Sequence, residues 1–218
     1  MIDAVFLGTM IPLLFLIILL KGESRMMMLF FAWGMVAFAM SHNVNDMLSE
    51  YLDISISELS VSWAPIVEEL LKALPLLYFL LKRTQAKYPI IYFAMSIGIG
   101  FSIQENYLYL LQVSEIENSL AFYVLMRSIT TCLMHGISTS IIGYGLDIIR
   151  RSKIMVAPLL FGLLSLSVIL HALFNLYTNS DVRLIGMLMP ILLYIISLVV
   201  LYEDKDNNKM AFEGEKAV

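Results

Sequence analysis

Four groups of residues in this chain combine acid, base and amide chemistry at helical spacing. The first is Glu68-Glu69-x-x-Lys72, flanked by Pro65 and Pro75. Glu68 and Lys72 are four apart and Glu69 and Lys72 three apart, so the lysine can neutralise one glutamate on its own helix face. The other needs a partner on another helix or must hold a proton, and a desolvated carboxyl is what a general base working near neutrality requires. The second is Phe101-x-x-x-Glu105-Asn106, preceded by Gly98 and Gly100, which permit close helix approach. Arg127 and His135 follow, eight apart and so within about 80° of each other around a helix. The last is His171-x-x-x-Asn175, again a pair on one face. Taken singly, a Glu–Lys motif also describes a structural ion pair, and one histidine in an apolar helix more often packs and hydrogen-bonds than reacts.

The elements that must position these groups are membrane spans. Of 218 residues, 60% are hydrophobic and 15% charged, against roughly 45–50% and about 25% in soluble domains. The apolar residues fall into blocks about 20 residues long, enough to cross a bilayer as helices. They cover 4–20, 26–40 (extending toward Leu52), 61–81, 89–111, 119–149, 154–177 and 184–202. The alternating pattern of a barrel is absent, so the fold class is all-α: a polytopic bundle of about seven transmembrane helices. Residues 1–202 are expected to form one transmembrane unit with its motif-bearing core at 61–177, and 203–218 a short, disordered cytoplasmic tail. The first apolar run lacks a basic lead-in and a small-residue cleavage site, and reads as a retained helix. Cys132 is the single cysteine, which excludes an internal disulfide. In an apolar helix it reads as a buried, inert thiol. His42, in the polar stretch 41–46, reads as interfacial and without a role.

Basic residues orient the bundle. Lys21, Arg25, Lys82, Arg83, Lys87, Arg150, Arg151 and Lys153 lie in alternate loops, and the intervening loops hold only Arg183. The bias puts the N-terminus outside and the C-terminus in the cytoplasm. Cysteine labelling in a Cys132→Ala background checks it. Probes at Asn43 and Ser180 are expected to react with an impermeant reagent in intact cells and one at Ser152 is not; the reverse pattern inverts the bundle.

With that orientation, Glu68, Glu105 and His171 each lie six or seven residues below the outer end of their runs, about 9–11 Å deep at a rise of roughly 1.5 Å per residue. His135 joins them if its helix enters the membrane near Arg127. A charged side chain at a helix centre costs at least about 2.5–3.5 kcal/mol. Several at one depth on four helices call for a function rather than packing.

In type and order, Glu68-Glu69-x-x-Lys72, Phe101-x-x-x-Glu105-Asn106, Arg127 with His135, and His171-x-x-x-Asn175 resemble the PrsW family of intramembrane proteases. That family is grouped with the CAAX-processing and bacteriocin-processing membrane proteases. The CAAX branch usually has a histidine where this chain has Glu105, so Glu105-Asn106 favours the PrsW branch. The resemblance implies hydrolysis of a peptide bond in a membrane-anchored protein within the lipid bilayer, as in the cutting of anti-sigma factors. Glu68, Glu69, Glu105, His135, His171 and Asn175 are then the expected catalytic residues, with Lys72, Phe101, Asn106 and Arg127 in support. In one mechanism Glu68 or Glu69 activates water, assisted by Glu105 or His135, while His171 and Asn175 donate to the oxyanion. In the other, His135, His171 and Glu68 hold zinc and the second glutamate is the base. The chain has no H-E-x-x-H, so the glutamate route is favoured and no cofactor is expected, with zinc as the alternative. No basic patch suggests nucleic acid. The competing readings are a prenyl-protein endopeptidase of CAAX type, a non-catalytic scaffold and, behind these, an ion or proton transporter.

Overall fold

Apolar runs in lipid must satisfy their backbone internally, and here they do so as helices. The computed structural model describes residues 2–77, 79, 89–112, 120–151 and 156–216. Among them are helices α1 (Ile2–Leu19), α2 (Gly22–Leu52), α3 (Ile56–Val61), α4 (Ala64–Ala73), α5 (Ile90–Gln112), α6 (Leu120–Arg151), α7 (Val156–Thr178) and α8 (Arg183–Lys216), with a 3-10 turn at Leu74–Leu76 and no strand. The lysines and arginine of loop 82–88, loop 112–118 apart from Gln112, and Lys153 lie outside the described residues.

Among the described residues, four helices are long and apolar enough to cross a membrane: Gly22–Leu52, Val124–Arg150, Val156–Thr178 and Arg183–Val200. The other expected spans fall short for identifiable reasons. The first is a shorter apolar helix, Phe6–Leu19. α5 has the length, but Gln104, Glu105 and Asn106 interrupt its apolar character. The expected continuous helix over 61–81 is broken. A turn at Ser62–Trp63 separates α3 from α4, and the backbone tightens into the 3-10 turn at Pro75. Proline has no N–H to give the carbonyl four residues back. That carbonyl, of Leu71, instead accepts the Trp33 indole N–H from α2 at 2.9 Å.

The run expected over 26–40 is part of a helix reaching Leu52, closed by Asp53 in the left-handed conformation with its N–H on Ser49 O. Ser55 caps α3, accepting from the Glu58 N–H. His42 faces Asp46 at 3.6 Å, one turn away. Over the tail expected to be disordered, α8 runs on as a helix to Lys216, because extending a helix already nucleated costs little.

α5 is the central element, packed between α2 and α6, with α7 against α6 and α4 against α2 and α7. The glycines make this packing tight. A Cβ on Gly98 would overlap the His135 carbonyl, and one on Gly100 the Phe31 carbonyl. Asp147 of α6 accepts the Ile90 N–H at 2.8 Å, capping the start of α5. Phe30, Phe79 and Phe93 fill one part of the core, with centroids 5.2–5.5 Å apart. Phe38 meets Phe101 edge-on at 5.4 Å, and Phe101 is the floor of the polar cluster.

Candidate active site

Four helices bring Glu68, Glu69 and Lys72 (α4), Phe101 and Glu105 (α5), Arg127 and His135 (α6) and His171 (α7) into one connected cluster. At its base is a buried ion pair: Lys72 Nζ lies 2.6 Å from Glu69 Oε1, both side chains fully enclosed. Glu69 Oε1 also accepts from Ser138 Oγ at 3.0 Å and His171 Nδ1 at 2.9 Å. Lys72 Nζ continues to His135 Nδ1 at 3.1 Å and stands 4.9 Å above the Phe101 ring. Ser138 Oγ is 3.5 Å from the same nitrogen. The Phe101 ring packs on His135, with centroids 4.7 Å apart.

Two further carboxylates lie above this base. Glu105 Oε2 meets His135 Nε2 at 2.5 Å, and its Oε1 is 3.5 Å from Arg127 Nη2. The Arg127 guanidinium carbon lies over the Tyr109 ring, 3.3 Å from its centroid. Glu68 is the carboxylate of the three with no lysine or arginine within ion-pair distance among the described residues. Its Oε1 receives Asn45 Nδ2 of α2 at 3.4 Å, and its Oε2 is 3.6 Å from His171 Nε2.

These partners fix the two imidazoles in opposite senses. His171 Nδ1 faces a carboxylate, which only accepts, so its proton sits there and Nε2 offers a lone pair toward Glu68. His135 Nδ1 faces an ammonium, which only donates, so its proton sits on Nε2 and points at Glu105. The rings meet edge to face with centroids 4.8 Å apart. One acceptor and one donor edge therefore converge beside the two upper glutamates, an arrangement suited to moving protons during hydrolysis.

Residues 22–202 match the family model for PrsW family intramembrane metalloproteases. The chain belongs to the PrsW family. It is a multi-pass membrane protein of the protease class, and the match spans most of its length. No curated protein and no solved structure matches it.

The family description names a metal, and the donor types are present: one ligand atom each from Glu68, His135 and His171 lie within 4.8 Å of one another. Two histidines and a carboxylate form a recognised catalytic zinc set. His171 is oriented as such a ligand is, with its other nitrogen donating to a carboxylate. His135 is not. Its second nitrogen faces Lys72, a donor, so its Nε2 presents a hydrogen instead of a lone pair. As held here, the set is right in type and wrong in orientation for a metal.

Two expected site residues in this PrsW-family chain stand apart from the cluster's hydrogen bonds. Asn175 Nδ2 donates to the Ser60 carbonyl at 2.8 Å, tying α7 to α3. Asn106 leaves its Oδ1 buried without a partner among the described residues. Two members of the cluster, Asn45 and Ser138, were not among the residues expected from sequence. Ser138 follows His135 by one turn on a face that also carries Thr131 and Thr139, and that polar stripe was the available signal. Asn45 gave none, since the stretch around it reads as interfacial.

Proposed function

We propose that this chain cleaves a peptide bond of a membrane-anchored protein by water that Glu68 activates. The observation that supports this most is the opposed orientation of the two histidines around a carboxylate free of lysine and arginine. A water between Glu68 Oε2 and His171 Nε2 would donate one hydrogen to each. Glu68 takes the proton as the water oxygen attacks the substrate carbonyl carbon. The developing oxyanion takes the Nε2 hydrogen of His135 in place of Glu105, which holds it before substrate binds. Collapse breaks the C–N bond, and Glu68 returns its proton to the leaving amine, so the products are a free acid and a free amine. Glu69 is the internal anchor in this reading, because its one engaged oxygen already serves three donors.

Chelation tests it. Purified protein stripped of divalent ions is expected to cleave a single-span substrate at the untreated rate. Activity lost on stripping and restored by zinc overturns the metal-free route. It would also mean that Lys72 turns from His135 in the working enzyme, since a ligating histidine needs an acceptor behind it.

A further inference from the structure

A peptide crossing a bilayer is helical, and its backbone groups are paired within the helix. Cleavage needs that helix opened locally, which leaves N–H groups without acceptors in a medium where each costs several kcal/mol. A site that hydrolyses such peptides must therefore offer acceptors of its own.

Most acceptors around the cluster are already engaged. Glu69 Oε1 takes three donors, and Glu105 has Arg127 on one oxygen and His135 on the other. Glu68 has Asn45 on one oxygen and His171 beside the other. Asn45 Oδ1, like Glu69 Oε2, is buried with no hydrogen-bond partner among the described residues, but the Glu69 side chain is fully enclosed whereas that of Asn45 is only partly buried. Its amide is oriented by chemistry, because the edge facing Glu68 must be the NH2 edge if it is to donate to a carboxylate. The oxygen is thus turned away from Glu68 while remaining attached to the group that holds it. Neighbouring polar side chains on α2 are spent locally: Ser41 Oγ on Phe38 O, Asn43 Nδ2 on Ala39 O and Ser49 Oγ on Ile54 O. Asn45 reaches across to α4 instead. Asn106 Oδ1 is also buried and unpartnered, but it follows Glu105, which is already held on both oxygens, whereas Asn45 sits on the carboxylate that faces His171.

We propose that Asn45 is a substrate-binding residue whose Oδ1 accepts a backbone N–H of the unwound peptide while its Nδ2 fixes Glu68 Oε1. The inference rests on the peptidase reading above. It accounts for the buried orphan oxygen, which would otherwise be desolvated with nothing in return. It also gives the substrate class a requirement: a peptide segment able to leave helical geometry beside the scissile bond.

Backbone ester substitution tests this directly, because an ester replaces one N–H by oxygen and leaves the side chains alone. The probe is a fluorescent single-span peptide of about 20 apolar residues carrying a glycine pair, with esters placed singly at each residue around the pair. Binding is measured to Glu68→Gln protein, which turns it over only slowly in this reading, with and without Asn45→Ala. One ester position is expected to weaken binding about three- to tenfold to the protein with Asn45 intact and to have no effect with Asn45→Ala. That non-additivity marks a direct contact, whereas a residue that only positions Glu68 would give additive effects. Asn45→Ser, too short to reach the same N–H, serves if the alanine variant does not purify. Binding with no coupling at any position overturns this inference and leaves the peptidase reading standing. A Glu68→Gln protein that binds none of the peptides, with the parent cleaving none, removes both.

Discussion

Glu68→Gln is expected to insert, fold and purify like the parent while cleaving a membrane-anchored substrate about 10²–10⁴-fold more slowly, the usual loss when a general base is removed. Glutamine can keep both contacts of the native side chain. Its oxygen still accepts from Asn45 Nδ2, and its NH2 can donate to the lone pair on His171 Nε2. What goes is the ability to take a proton from water, so the loss falls on turnover and not on folding. Glu69→Gln should behave differently, although the two glutamates are adjacent. It removes the countercharge from an enclosed ammonium, so folded yield falls together with activity. The measurement is a cleavage assay alongside thermal unfolding of each variant in detergent. Glu68→Gln protein that cleaves at the parent rate would remove Glu68 from the chemistry.

Sequence alone could not separate the two glutamates. Both lie within one helical turn of Lys72, and spacings of three and four serve an ion pair almost equally. What separates them is the rotation of α4 against its neighbours. Glu69 turns into α6 and α7, where Ser138 and His171 meet it, while Glu68 faces α2. That rotation is a tertiary fact with no local signature. The convergence of Glu105, His135 and His171 was more legible, because lipid penalises charge and leaves few depths at which such residues can be kept. Asn175 shows the limit of that reading. It shares a face with His171 but lies one turn nearer the helix end, where it meets Ser60 of α3. Apolarity had merged the last residue of that short helix with α4, and hydropathy does not register a missing N–H. The second break, the 3-10 turn after α4, was still written in Pro75, since a proline inside a span leaves the carbonyl four residues earlier in need of another donor. Trp33 supplies it from a helix that nothing in the local sequence connects with Leu71.

Lys72 links stability to chemistry, and removing it is expected to have the largest effect on folding of any substitution in the cluster. Lys72→Ala strands the Glu69 carboxylate in a fully enclosed position, and breaking a buried pair from one side costs about 3–5 kcal/mol. Against a total stability of roughly 5–15 kcal/mol, that should cut folded yield sharply. Two further contacts go with it: the ammonium over the Phe101 ring and the donor that holds the proton of His135 on Nε2. The double variant Glu69→Gln with Lys72→Met separates these contributions. Neutralising both partners removes the stranded charge, and replacing a buried pair by uncharged groups is often close to neutral for stability. The double variant is therefore expected to fold better than Lys72→Ala alone. It should nevertheless remain slow, because methionine gives His135 Nδ1 no hydrogen and the imidazole is free to take the other tautomer. Recovery of folding without recovery of rate would assign Lys72 a positioning role in catalysis beyond its ion pair. Recovery of both would confine it to the pair, and a Lys72→Ala protein with parental yield and rate would refute the pairing itself.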